Sequence, residues 1–238
     1  MLSARAGFRL VSSRSQQTNS SAAGTLQKTM MKFAQKIACA ALLLVSVSAL
    51  SAASPWSVRL RATYLETVDE SDAFSALGIN FGKDAISVND KLIPEIDVNY
   101  AFTDTLGAEL VLTIPQTQDV SLAGVGKLGS FKHLPPTLLF QYRANPGGSI
   151  RPYVGVGGNF TLIWNTNLKV AGVPLYLDNY SLGFAAQAGI DWKIDSKWSF
   201  NLDIKKAGIH SDVSTSATRL TETRLNPWLY AIGLRYEF

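Results

Sequence analysis

The sequence predicts an all-β fold: one eight-stranded, antiparallel, up-and-down transmembrane β-barrel behind a cleaved leader. Three observations carry this. From Trp56 onward, eight segments of roughly 8–12 residues alternate apolar and polar side chains with a period of two. The links between them are alternately short and long, as in barrels with tight turns at one end and large loops at the other. Aromatic residues gather at segment ends on the apolar face, where rings settle at a membrane–water boundary. Near-neutral mean hydropathy is compatible with this, because a barrel in lipid needs only every second residue apolar.

Residues 31–53 read as a secretory signal peptide. A charged start (Met31 to Lys36) is followed by an apolar run, Ile37 to Leu50, and by Ser51-Ala52-Ala53, with cleavage after Ala53. The run of 14 residues falls short of the roughly 20 needed for a spanning helix. Residues 1–30 form an N-terminal extension rich in Ser, Arg and Gln and free of acids. That composition fits an organelle transit peptide, or sequence upstream of a true start at Met30 or Met31. A signal beginning immediately at Met31 favours the second.

The chain carries a formal charge of +4, but six of its 22 bases lie in residues 1–53, which hold none of its 18 acids. Residues 54–238 therefore have a net charge of −2, and the basic character is no nucleic-acid footprint. The one cysteine, Cys39, also lies in the leader, so the barrel domain 54–238 has neither disulfide nor thiolate metal site.

The segments follow in order. In the first, Trp56, Val58, Leu60, Ala62 and Tyr64 oppose Ser57, Arg59, Arg61 and Thr63. In the second, Ile96, Val98, Tyr100 and Phe102 oppose Glu95, Asp97 and Asn99. Leu106 to Ile114 and Thr137 to Arg143 make the third and fourth. The fifth sets Val154, Val156, Phe160 and Leu162 against Arg151, Tyr153, Asn159 and Thr161. The sixth runs from Ser181 to Trp192 and the seventh from Trp198 to Lys205. The last sets Trp228, Tyr230, Ile232, Leu234, Tyr236 and Phe238 against Gly233, Arg235 and Glu237. Short links follow segments two, four and six: Thr103-Asp104-Thr105, Asn145-Pro146-Gly147-Gly148 and Asp195-Ser196. Long links at 67–91, 116–134, 165–178 and 209–226 read as outer loops, which puts both termini of the barrel at its periplasmic end. The first of these, with Glu66, Asp69, Glu70, Asp72 and Asp84 against Lys83, reads as a charged, solvated loop.

A soluble barrel turns its apolar face inward; a membrane barrel turns it outward. The aromatic segment ends favour the membrane arrangement. The polar face then becomes a lumen holding six bases (Arg59, Arg61, Arg143, Arg151, Lys205, Arg235) and six acids (Glu95, Asp97, Glu109, Asp191, Asp203, Glu237). Balance is what a packed lumen requires, since an unpaired buried charge costs several kcal/mol.

Asn226-Pro-Trp-Leu-Tyr-Ala-Ile-Gly-Leu-Arg-Tyr-Glu-Phe238 resembles the last strand of the OmpW family of outer-membrane proteins. Leu134-Pro-Pro-Thr-Leu-Leu-Phe-Gln-Tyr142, Arg151-Pro-Tyr-Val-Gly-Val-Gly157 and Ser181-Leu-Gly-Phe-Ala-Ala-Gln-Ala-Gly-Ile-Asp191 extend the resemblance across the chain from about Trp56 to Phe238. The resemblance implies a barrel of the bacterial outer membrane with a narrow channel that binds small hydrophobic molecules and passes them through. It also implies delivery by periplasmic chaperones and the barrel-assembly machinery. The competing expectation is a non-conducting structural or interaction barrel that binds partners through its loops.

Placed by height, the inward apolar residues Leu65, Ile93, Val111, Leu139 and Ile163 fall in the middle and outer half, above the charges. The expected picture is an apolar cup, open to the outside, over a charged floor, with the cup suited to a hydrophobic ligand. A floor of paired charges resists axial passage, so release calls for a side exit. Pro94, Pro115, Pro135 and Pro136 lie near the outer ends of segments two to four, where each removes a ladder donor. They mark a candidate lateral gap, or merely strand ends.

Catalytic and cofactor signals are lacking. His133 and His210 lie in or beside long links and read as solvated. His210-Ser211-Asp212 is contiguous on an extended chain, so its side chains diverge. Gly124-Val-Gly-Lys127 lacks the length and setting of a phosphate loop. No enzyme, metal or cofactor is expected; the expected partners are outer-membrane lipid and a small hydrophobic ligand.

Overall fold

In the computed structural model, residues 54–76 and 78–238 are described. The expected signal peptide and N-terminal extension lie outside them. The described residues contain no helix. Eight strands build the barrel: β1 (Trp56–Glu66), β2 (Lys91–Ala101), β3 (Leu106–Thr113), β4 (Thr137–Arg143), β5 (Ile150–Val170), β6 (Tyr180–Lys193), β7 (Trp198–Ala207) and β8 (Trp228–Glu237). Each pairs antiparallel with its sequence neighbours, and β8 closes on β1 from Ser57↔Glu237 to Glu66↔Trp228. Closure leaves no free edge strand, so the paired stretches of the ladder need no water.

The inversion is visible in β1. Ser57, Arg59, Arg61, Thr63 and Leu65 are buried inside, whereas Trp56, Leu60 and Tyr64 face out. Arg59 is 0% exposed while neighbouring Leu60 is 56% exposed, and on β6 Phe184 reaches 91%. Such a surface is stable only against hydrocarbon. At the short-turn end the rings form a belt: Trp56 packs on Tyr100 at 4.7 Å and Trp198 on Tyr236 at 4.8 Å.

The three short turns use local chemistry. Thr103 Oγ1 accepts from the Leu106 amide at 2.9 Å. Asn145 takes a positive φ of 51° and its carbonyl accepts from the Gly148 amide. Asp195 Oδ1 accepts from the amides of Lys197 and Trp198, each at 2.8 Å. These two N–H groups hold the Asp195 carboxyl below its ordinary range.

The four long links are not loops, which corrects the sequence reading. Most of the last three, and about half of the first, is strand that raises the wall beyond the membrane. Gln116–Leu122 and Gly126–Leu134 form a hairpin whose second arm pairs with the outer half of β5. Val173–Leu177, His210–Ser214, Arg219–Arg224 and Glu70–Ser71 pair in succession. The segment 67–91 is no solvated loop either: Phe81, Ile86 and Val88 are buried. β5 shows why the sequence misled. At 21 residues it is about twice the length needed to span. Its inward side is polar or small at Gly155, Asn159 and Thr161 and turns apolar at Ile163, Leu168 and Val170. A bulge between Trp164 and Asn167 shifts the register on the way. Within the membrane the polar face points in; above it the apolar face does.

Candidate functional site

The lumen holds two stacked features, an ionic plug and an apolar cavity. Arg59 and Arg61, alternate inward positions of β1, form the centre of the plug. Arg59 lies directly opposite Arg235 in the β1–β8 ladder, a repulsive pairing. Asp191 from β6 bridges both cations, at 2.8 Å from Arg59 and 2.6 Å from Arg235. Arg59 also pairs with Glu109 of β3. Arg61 Nη1 lies 3.0 Å from Glu95 and 2.8 Å from Asp97, and Lys205 Nζ reaches Glu95 at 2.8 Å and Asp203 at 2.7 Å. Arg151 pairs with Glu237 at 2.9 Å nearer the periplasmic mouth.

Tyr153, Asn99, Gln141 and Asn201 complete the mesh. Tyr153 Oη donates to Asp203 at 2.6 Å and accepts from Arg61 Nη2 at 2.9 Å and Asn201 Nδ2 at 3.0 Å. Its ring also faces the Arg59 guanidinium at 4.6 Å. There is room for this ring because Gly189 stands beside it: a Cβ there would lie 2.3 Å from Tyr153 Oη. Of the twelve predicted lumen charges, Arg143 alone makes no ion pair among the described residues. Sequence reading counted formal charges and so missed the neutral members of the mesh. Their signal was position: each lies on the same period-two face as the charges.

The five predicted lumen apolar residues are all buried, but they do not form one open cup, which is a second correction. Leu65 and Ile93 pack with Ala207 and Leu229. Val111 and Leu139 pack with Ala185. Ile163 belongs instead to a larger outer cluster with residues such as Val88, Val120, Phe131, Leu168 and Leu225. Several come from the segments read as loops. They were legible only as short alternations, such as Ile86-Ser87-Val88 and Val120-Ser121-Leu122, whose partners are distant in sequence.

At the heart of that cluster is a narrow cavity of about 40 Å³, room for a few waters and too small for a ring compound. Its lining is nearly all aliphatic and aromatic. Its polar members are Thr161, Ser211, Thr223 and His133, and His133 is 1% exposed with no hydrogen-bond partner on either ring nitrogen. The solvated reading of His133 is thereby corrected. Residue 133 pairs with Ile163, above the membrane span. Burial, and then the charge of Lys91, push its imidazole down to about 4, so it is neutral at physiological pH. His210 is exposed.

The prolines fall at an interruption of the wall. Pairing of β2 with β3 ends at Glu95↔Thr113 and resumes only at Val88↔Val120. Pairing of β3 with β4 ends at Val111↔Thr137 and resumes at Gln116↔His133. Pro94, Pro115, Pro135 and Pro136 lie within these breaks. Side-chain bonds tie the first break loosely, such as Thr113 Oγ1 donating to the Pro94 carbonyl at 2.9 Å.

Closed antiparallel wall, lipid-compatible exterior and ion-paired interior define a small outer-membrane β-barrel protein. The chain belongs to the OmpW family, which matches residues 53–238. It is 34% identical to y4mB, an uncharacterized outer-membrane protein of Sinorhizobium fredii, over 78% of this chain and 80% of that one. It is 30% identical to outer membrane protein W of Vibrio cholerae, over 64% of this chain and 76% of that one. The crystal structure of OprG from Pseudomonas aeruginosa matches with a TM-score of 0.68 at 25% identity, covering 78% of this chain and 97% of OprG. The protein therefore resides in the bacterial outer membrane.

Proposed function

We propose that the protein admits small hydrophobic molecules from outside into its outer cavity and passes them across the outer membrane. The observation that carries this reading is the apolar cavity in the outer part of a barrel whose lower lumen is sealed by ion pairs. Apolar lining favours apolar solutes. The plug offers an apolar solute only desolvation of charges, which makes an axial route costly. Release through the wall at the Pro94/Pro115 interruption is the cheaper exit, because few backbone bonds need to break there. Cavity residues must part to admit a ring, a motion suited to the strand extensions, whose ladders are short and shifted.

Uptake of naphthalene by cells carrying the protein, against cells lacking it, tests the proposal. Val120→Trp fills the cavity from its wall and should bring uptake close to that of cells without the protein. If uptake is unchanged in a correctly folded Val120→Trp barrel, the transport reading fails. The reading left standing is then a non-conducting barrel that binds partners through its outer strands.

A further inference from the structure

The outer cavity has one unsatisfied polar fixture. The hydroxyls that border it are engaged: Thr161 Oγ1 donates to Asn159 Oδ1 at 2.6 Å, Ser211 Oγ accepts from the Asp178 amide at 3.0 Å, and Thr223 Oγ1 donates to the Glu70 carbonyl at 3.3 Å. His133 is not. Its ring is tilted against that of Phe131, with centroids 5.8 Å apart, on the inward side of the outer hairpin. Both nitrogens are sealed from water and unpartnered. A polar group in such a place is destabilising unless something supplies its bonds. Gln116 stands directly opposite His133 in the hairpin ladder, but its side-chain amide donates to the Ile114 carbonyl at 2.9 Å, and Gln118, two residues on, is 0% exposed and unpartnered, so neither satisfies the imidazole.

A neutral imidazole offers one donor and one acceptor. A neutral hydroxyl matches either; a hydrocarbon matches neither. A carboxylate would place a charge in a lining that contains no charged side chain. We propose that His133 is the polar anchor of the outer cavity and that its preferred occupant is an apolar molecule bearing a single neutral hydroxyl. The apolar body then lies among Val120, Ile163 and Leu168, and the hydroxyl end meets the imidazole. This rests on the reading of the cavity as the site for apolar molecules, and it names the chemistry that the site prefers.

The test uses the mature barrel in lipid nanodiscs, with ¹⁵N-labelled imidazoles and labelled Ile, Leu and Val methyls, titrated with 1-octanol and with n-octane. The two histidines of the chain make His210 an internal control. Both compounds should move the Val120 and Ile163 methyl signals saturably. Only 1-octanol should move the His133 nitrogens, leaving those of His210 in place. Corrected for partition into lipid, 1-octanol should bind about tenfold tighter than octane, the worth of one good buried hydrogen bond. His133→Leu should abolish that preference, and His133→Gln should restore part of it. An unmoved His133 signal at saturating 1-octanol, or the same preference in His133→Leu, overturns the proposal. Should neither compound move the cavity methyls, the cavity reading itself fails, which is a separate result. If His133→Leu does not fold, the imidazole signal of the unaltered protein decides.

Discussion

At the scale of single residues, the plug works by redundancy with one weak point. Most of its acids have two cations: Glu109 has Arg59 and Arg61, Glu95 has Arg61 and Lys205, and Asp191 has Arg59 and Arg235. Asp97 has only Arg61, at 2.8 Å but out of hydrogen-bond alignment, and is 0% exposed. Removing Arg61 therefore strands a buried carboxylate. Arg61→Met should cost about 3–5 kcal/mol in urea unfolding from lipid vesicles, the range for breaking a buried pair from one side. Adding Asp97→Asn should recover a large part of the loss, because the stranded charge is gone. A loss under about 1 kcal/mol in Arg61→Met would show that water reaches the plug.

At the scale of elements, the strands were legible because each alternates within itself, and a barrel strand needs no more than its own sequence to declare two faces. All eight segments and the three short turns stand where periodicity and turn chemistry put them. The strand extensions were not legible. Segments such as Glu70–Ser71 and Ile86–Val88 are too short to show a period, and their pairing partners lie far along the chain. The inward face also changes from polar to apolar along a single strand, as in β5, so a rule taken from the membrane part fails above it. His133 was misplaced for the same reason. The prolines were visible, but whether they merely end strands or interrupt a continuing wall depends on pairings that the sequence does not display. If the interruption is the exit, Pro94→Val with Pro115→Val should let the ladder close there. Naphthalene uptake should then fall severalfold while naphthalene binding in the outer cavity is unchanged. Unaltered uptake in a folded double variant would remove the lateral exit.

At the scale of the whole molecule, polarity is arranged by solvent. Where the wall meets hydrocarbon, apolar side chains point out and charges gather within, and every acid among the twelve lumen charges finds a cation. Where the wall rises into water, the charges move to the rim, as in Arg219 with Asp212 at 2.6 Å and Arg224 with Asp72 at 3.3 Å, and the apolar residues turn inward. The result is a greasy chamber on an ionic stopper. That arrangement makes a strong demand on where a hydrophobic solute sits, because the protein presents two apolar surfaces, one inside and one facing lipid. Magnetisation transfer between protonated naphthalene and selectively protonated methyls of the otherwise deuterated barrel in nanodiscs separates the two. Cross-peaks to Val120, Ile163 and Leu168 are the predicted result. Cross-peaks confined to the lipid-facing methyls of Leu60, Val156 and Leu182 would contradict it, and would mean that the solute merely dissolves in the bilayer around the protein.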